Sequence, residues 1–96
     1  MIKFYGTDLC PDCLEAKEYL ESVGIKYEFI DITASMSNLK EFLKLRDTRE
    51  EFKPFKELGY ACVPALLMED NSIRLEDDVF NLKSQTTTSS GGLLFA

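Results

Sequence analysis

The chain has 96 residues, of which 45 % are hydrophobic and 29 % are charged, and its formal charge is −6 with no histidine. This composition is typical of one globular domain with a single core. The acidic balance excludes nucleic acid and anionic membranes as expected partners, because both bind basic surfaces. Without histidine, any catalysis must depend on cysteine, carboxylate, lysine or tyrosine side chains.

The N-terminal residues become polar too soon for a signal peptide, and no apolar run approaches the roughly 20 residues that span a bilayer. We therefore expect a cytoplasmic protein. In that reducing compartment, a pair of cysteines is more often catalytic or metal-binding than structural.

The first part of the chain predicts a strand, a helix and a second strand. Residues 2–5 form a short apolar run that Gly6 ends. From Pro11, which a first helical turn tolerates, apolar residues recur at helical spacing until Gly24, a residue typical of helix ends. Residues 27–32 are rich in aromatic and β-branched side chains, as strands are. Together these elements predict a right-handed βαβ unit.

The middle of the chain predicts one helix and a shorter one after it. Ser35 and Ser37 are candidate N-caps of the first. Asp47, with Glu50 three residues later, is a candidate cap for the second, which Pro54 would kink or restart.

The last structured part predicts a hairpin and a final helix. Residues 65–68 and 73–75 have the pattern of two strands joined by a polar turn. Leu75, Val79 and Leu82 then keep helical spacing for about two turns. The order β-α-β-α-β-β-α predicts an α/β domain with a mixed sheet and helices on both faces.

The C-terminal residues differ in composition from the rest of the chain. From Ser84 the sequence is uncharged and of low complexity, a pattern typical of mobile segments. We therefore predict a domain over residues 1–83 and a mobile tail over residues 84–96.

Cys10-Pro11-Asp12-Cys13 lies between the first strand and the first helix. Cys10 would then lie at the helix N-terminus, where free N–H groups and the helix dipole stabilise a thiolate, the nucleophilic form of cysteine. Cys13 would lie one turn further on, close enough to attack a mixed disulfide formed on Cys10. We predict that Cys10 is the nucleophile and that Cys13 resolves the intermediate, with no metal and no required cofactor. Inert core thiols remain an alternative, as does a zinc site, which would need a carboxylate or a second chain to complete four ligands.

Residues 2–13 resemble the opening of glutaredoxins and related small redoxins, and Cys62-Val63-Pro64 stands where that family carries Thr-Val-Pro with a cis proline. The resemblance covers residues 1–83. It implies the thioredoxin fold, with a four-stranded mixed sheet and about three helices. It also implies thiol–disulfide oxidoreductase activity on a disulfide-containing protein or on glutathione.

The resemblance also implies where a substrate would lie. The backbone of Val63 and the cis Pro64 would align it, beside Pro11 and Asp12 of the cysteine motif. The family has a basic residue where this chain has Thr7. Asp12 and the nearby Asp8 add negative charge that opposes a thiolate, although an acidic residue is also favourable in a first helical turn.

The segment after the last predicted strand departs from the family pattern. Glutaredoxins usually have two glycines there, then a polar stretch ending in an aspartate that receives the γ-glutamyl end of glutathione. Asp78 matches that aspartate, but Leu75 and Glu76 stand where the backbone should approach a ligand. Glutathione and a thioredoxin-reductase-type donor therefore both stay open as reductants.

Cys62 replaces the threonine of the family motif and allows two interpretations. It is either a small buried hydrophobic residue or a regulatory thiol that traps Cys10 or Cys13 under oxidation. Two further functions stay open for the whole chain. One is a non-catalytic redox-sensing or binding module, and the other is a metal or iron–sulfur site shared between two chains.

Overall fold

The computed structural model describes residues 1–82. Its strands and helices are β1 (Ile2–Gly6), α1 (Pro11–Ser22), β2 (Tyr27–Asp31), α2 (Met36–Thr48), α3 (Lys53–Glu57), β3 (Ala65–Leu67) and β4 (Ile73–Leu75). Two 3-10 helices, Glu50–Phe52 and Glu76–Asn81, precede α3 and follow β4. The four strands form one sheet in the order β2-β1-β3-β4.

β1 is an inner strand of this sheet and makes it mixed. It pairs in parallel with β2, with Ile2 opposite Tyr27, and antiparallel with β3, with Tyr5 opposite Ala65. β3 and β4 form the predicted antiparallel hairpin. The parallel pair needs the crossover that α1 provides, so the predicted βαβ unit is confirmed.

The side chains of β1 alternate between the two faces of the sheet, as strand geometry requires. Phe4 joins the core cluster that contains Leu20 of α1. Its neighbour Tyr5 joins a second cluster, with Phe42 of α2 and Phe52 of the first 3-10 helix. Helices therefore cover both faces, as predicted, and the cysteine motif at the start of α1 belongs to the first face.

The helix ends correct some of the predicted caps. Ser35 is the N-cap of α2 and accepts a hydrogen bond from the Asn38 N–H at 3.1 Å, whereas Ser37 lies inside the helix. Asp47 also lies inside α2, since the helix continues to Thr48. Its carboxylate lies 3.7 Å from Arg46 and 3.9 Å from Lys56, so it forms ion pairs instead of capping the next helix.

The final helix is a 3-10 helix, Glu76–Asn81, where the sequence predicted about two turns of α-helix. A 3-10 helix places residues three apart on one side, so the spacing of Val79 and Leu82 fits it equally well. Val79 is fully buried, and the Tyr19 hydroxyl donates to the Leu82 carbonyl just after the helix. The predicted domain boundary at residue 83 and the predicted tail, residues 84–96, lie outside the described residues.

Within residues 1–82, no helix is both long enough and apolar enough to cross a membrane.

Candidate active site

Cys10 is the N-cap residue of α1, at the junction with the loop that follows β1. Its N–H donates to the Thr7 carbonyl at 3.1 Å, and its carbonyl accepts from the Cys13 N–H at 3.0 Å. Pro11 has no N–H, and the Asp12 N–H has no hydrogen-bond partner within residues 1–82. That free donor and the positive end of the helix dipole are available to a thiolate on Cys10.

The two thiols differ in access to solvent. Cys10 is partly exposed, whereas Cys13 has an exposed fraction of 0 %. Burial is the largest cause of a rise in the pKa of the Cys13 thiol to about 12. A hydrogen bond from the Thr7 backbone N–H acts in the opposite direction, and the neighbouring Cys10 sulfur contributes to the rise. Cys10 is therefore the accessible thiol, and Cys13 is held protonated behind it.

Gly6 makes the close packing of Cys13 possible. A Cβ atom at this position would lie 2.9 Å from the Cys13 Sγ and 2.8 Å from Cε1 of Phe4, both fully buried side chains. Sequence reasoning identified Gly6 only as the end of a strand. No local signal reveals this contact, because it depends on how α1 returns across β1.

A chain of hydrogen bonds fixes the loop between β1 and α1. The Leu9 N–H donates to the Thr7 hydroxyl at 3.1 Å, and that hydroxyl lies 3.0 Å from the hydroxyl of Thr33. Thr33 donates its only hydroxyl proton to Asp31 at 2.6 Å. Thr7 must therefore donate to Thr33. The hydrogen bonds then all run in one direction, from the Leu9 N–H through the two threonine hydroxyls to the Asp31 carboxylate. The Thr33 bonds lower the pKa of the Asp31 carboxyl.

Beside Cys10 lies a groove of about 480 Å³. The loop before α1 and the segment before β3 supply most of its lining, which consists of Thr7, Leu9, Cys10, Asp12, Ile32, Tyr60, Ala61, Cys62 and Val63. Four of the residues that the sequence singled out therefore meet at this groove: Cys10, Asp12, Cys62 and Val63. Tyr60 and Ile32 were missed, because nothing in their local sequence indicates which surface they would share.

Four other predicted site residues do not line the groove, and one of them is the fully buried Cys13. Pro11 is exposed in the first turn of α1, and Pro64 is buried next to the groove-lining Val63. Asp78, the expected partner of the γ-glutamyl group, is exposed in the final 3-10 helix. The structure therefore brings the cysteine motif and Val63 together, but not Asp78.

The segment that faces the cysteine motif has an unusual backbone. The Val63–Pro64 peptide bond is cis, and Cys62 has a φ angle of 73°, in the left-handed region that favours glycine. The Cys62 side chain is 2 % exposed, belongs to the core cluster under α2, and has its sulfur 3.5 Å from the Tyr60 carbonyl. Within residues 1–82, the N–H and C=O groups of Val63 have no hydrogen-bond partner. They are therefore available to another backbone.

Metal ligation was one of the alternatives left open. In the described part of the chain, no three or more His, Cys, Asp or Glu side chains are grouped so that they could hold a metal ion.

A parallel βαβ unit with a CxxC motif at the start of its helix, facing a Val-cisPro segment, defines a thioredoxin-fold redoxin. Comparison with known proteins gives the family: the glutaredoxin family model matches residues 2–73. The chain belongs to the glutaredoxin family, as its sequence motifs suggested. Membership supports a thiol–disulfide redox function in general terms.

Curated relatives agree with this assignment. An uncharacterized protein of Haemophilus influenzae is 37 % identical over 75 residues, which cover 78 % of this chain and 86 % of the relative. Glutaredoxin 1 of Rickettsia prowazekii is 31 % identical over 86 residues, which cover 88 % of this chain and 78 % of the relative. An uncharacterized glutaredoxin-like 8.6 kDa protein in the rubredoxin operon of Clostridium pasteurianum is 38 % identical over 45 residues. These cover 47 % of this chain and 60 % of the relative. No solved structure gives a significant match.

Proposed function

We propose that the protein is a thiol–disulfide oxidoreductase that works by a dithiol mechanism. The Cys10 thiolate attacks one sulfur of a substrate disulfide, forms a mixed disulfide and releases the first substrate thiolate. The Cys13 thiol then gives its proton to the released substrate thiolate or to water and attacks the Cys10 sulfur, which releases the second substrate thiolate and leaves a Cys10–Cys13 disulfide. The substrate gains two electrons and the protein loses two, so no organic cofactor or metal is required.

The observation that carries this proposal is the difference in access between the two neighbouring sulfurs. Cys10 borders the groove, whereas Cys13 is completely buried behind it. Of these two sulfurs, a substrate disulfide in the groove can reach only Cys10, because Cys13 has no exposed surface to attack from. This geometry assigns the first attack to Cys10.

The environment of Cys13 also orders the second step. Two of the causes that raise its pKa are the hydrogen bond and the charge of the Cys10 sulfur. Both end when Cys10 becomes part of a mixed disulfide, since that sulfur can no longer ionise. The Thr7 N–H remains as a donor to the developing Cys13 thiolate. The loss of these two causes lowers the pKa of Cys13 after the first step, while burial, the largest cause of its raised pKa, remains.

Cysteine variants test the proposal with 2-hydroxyethyl disulfide, a small neutral substrate. We expect Cys10→Ser to abolish turnover and Cys13→Ser to accumulate a stable mixed disulfide on Cys10, identified by mass spectrometry. Cys62→Ala is the matched control and should retain turnover. Turnover by Cys10→Ser would contradict the assignment of the nucleophile. No trapped adduct on Cys13→Ser would contradict the mechanism and favour a non-catalytic module.

The oxidised protein must be reduced again by a dithiol or by two monothiols. The candidates are glutathione and a thioredoxin-reductase-type donor. Following the reduction of the Cys10–Cys13 disulfide by each donor, side by side, decides between them. Asp78 does not line the groove in the described part of the chain, which supports the reductase-type donor.

A further inference from the structure

The residues that line the groove beside Cys10 indicate which kind of disulfide it accepts. Its wall beside the motif includes Leu9, whose side chain is 81 % exposed, and the opposite wall includes Tyr60, which is 47 % exposed. Exposed apolar side chains that border a reactive group are typical of contact surfaces for other molecules. Small hydrophilic disulfides would leave this apolar surface in water.

The charge of the groove is equally specific. Within residues 1–82, Asp12 is the only aspartate or glutamate that lines the groove, and no lysine or arginine lines it. The nearby cations have other partners. Lys17 pairs with Asp8 at 2.7 Å, and Arg46, which donates to the Tyr60 carbonyl at 3.0 Å, pairs with Asp47 at 3.7 Å. A ligand with carboxylates therefore meets a negative charge and no positive one.

The backbone of Val63 supplies the third element. Its N–H and C=O groups have no partner in the described part of the chain and border the groove that contains Cys10. A polypeptide in extended conformation can satisfy both groups at once, as one strand does for another.

From these observations we propose that the groove selects a disulfide-bonded segment of another polypeptide, with apolar and neutral or basic residues beside its cysteine, over glutathione disulfide. The inference rests on the proposed oxidoreductase function and adds the class of substrate. Glutathione disulfide carries a net negative charge from its carboxylates and presents no apolar side chain to Leu9 or Tyr60. The chemical step is the two-stage exchange already described, so the electron balance is unchanged.

Three disulfide-linked model peptides test the charge selectivity. They share an apolar core around the cysteine and differ in one flanking residue: lysine, glutamine or glutamate. We expect kcat/KM to fall in that order, with the lysine peptide roughly tenfold above the glutamate peptide at low salt and a smaller ratio at high salt. Glutathione disulfide should be a poorer substrate than the glutamine peptide.

Two substitutions locate the source of this selectivity. Asp12→Asn should reduce the lysine-to-glutamate ratio to about threefold or less, and using a ratio cancels any change in the reactivity of Cys10. Glu15→Gln, which removes an exposed α1 carboxylate that does not line the groove, should leave the ratio unchanged. Leu9→Ser should raise KM for the peptides by roughly fivefold.

The results of these experiments distinguish an error in the substrate class from an error in the proposed oxidoreductase function. If 2-hydroxyethyl disulfide is turned over but the three peptides react equally, or glutathione disulfide reacts fastest, the substrate class is wrong and the dithiol mechanism stands. If Cys13→Ser traps no adduct from any of these disulfides, the proposed function itself fails.

Discussion

Two segments face each other across the groove, and they are held in different ways. The segment from Gly6 to Cys13 is fixed by a directional chain of hydrogen bonds and by close packing around a buried sulfur. The segment from Tyr60 to Pro64 has a left-handed residue at Cys62 and an unpaired backbone at Val63 within residues 1–82. In the first segment the Thr7 hydroxyl ties the loop to Thr33, whereas in the second the N–H and C=O groups of Val63 have no partner in the described part of the chain.

This difference matches a division of labour in the proposed mechanism. The attacking sulfur must return to the same position in each cycle, so the segment that carries it benefits from rigid support. The facing segment has to accept the backbone of a variable partner, so free hydrogen-bonding groups are useful there. This division of labour requires the first segment to be rigid and the conformation of the second to be set by its backbone.

The largest expected effect is a difference in alkylation between the cysteines. At pH 8, iodoacetamide should modify Cys10 in the native reduced protein at least about a hundredfold faster than Cys13, since Cys13 is fully buried and its pKa is raised to about 12. Cys62, at 2 % exposure, should also be protected. Mass mapping after timed quenching measures all three rates, and denatured protein, in which they should converge, is the control.

Comparable labelling of Cys10 and Cys13 in the folded protein would mean that the first segment opens readily. The assignment of rigid support to that segment would then be wrong.

The sequence predicted where both segments lie in the fold, but not the contacts that fix them. Periodicity and the position of Pro11 placed the cysteine motif at a helix start, and the resemblance to glutaredoxins brought Val63 and Pro64 to the site. Those signals are local or belong to a motif. The contact between Gly6 and Cys13 is different in kind, because it depends on the three-dimensional path of the chain.

Hydrogen bonding over long sequence separations was equally hidden. Thr7 was noticed because it lacks the positive charge that the family has there, yet the structure shows its hydroxyl joined to Thr33, 26 residues away. Asp47 was assigned a capping role from spacing alone, and it forms ion pairs with Arg46 and Lys56. Sequence spacing gives candidate partners, but competition among partners is decided only when the elements pack.

Gly6→Ala adds a single methyl group, and we expect it to disrupt the first segment strongly. The new Cβ would overlap the Cys13 sulfur and the Phe4 ring, neither of which has free space, so we expect a loss of about 1–3 kcal/mol in the free energy of unfolding. Resolution of the mixed disulfide should also slow, because the Cys13 sulfur has to move. Urea denaturation and the rate of adduct decay measure the two effects.

Gly59→Ala provides the comparison for this variant. Nothing lies within 4 Å of a Cβ at Gly59, but its φ angle is +84°, so alanine there should cost about 1–2 kcal/mol through the backbone alone. The decay of the mixed disulfide should be unchanged. Equal decay rates in the two variants would show that Gly6 is not needed for the position of Cys13.

Thr7→Val tests the hydrogen-bond chain with little change in shape. It removes the acceptor for the Leu9 N–H and the donor to Thr33, so we expect a loss of about 1–2 kcal/mol in stability and slower attack by Cys10. Thr7→Ser should restore both. Thr48→Val, which removes an exposed hydroxyl bonded to the Lys44 carbonyl, is the matched control and should cost less than about 0.5 kcal/mol.

If Thr7→Val behaves like Thr48→Val in both stability and attack rate, the chain from Leu9 to Asp31 is incidental to the site.

The smallest effect concerns the backbone of the second segment, tested at Cys62 by comparing alanine with glycine. Replacing a buried alanine by glycine normally destabilises a protein, through roughly 0.5–1 kcal/mol of chain entropy and about 0.8 kcal/mol of lost burial. At Cys62, glycine also removes about 1–2 kcal/mol of left-handed strain, so Cys62→Gly should match Cys62→Ala within about 0.5 kcal/mol. Ala65→Gly, at a fully buried strand position nearby, should show the normal loss. The contrary result is that Cys62→Gly is less stable than Cys62→Ala by as much as Ala65→Gly is less stable than the native protein. Side-chain packing, rather than backbone conformation, would then determine the stability of this segment.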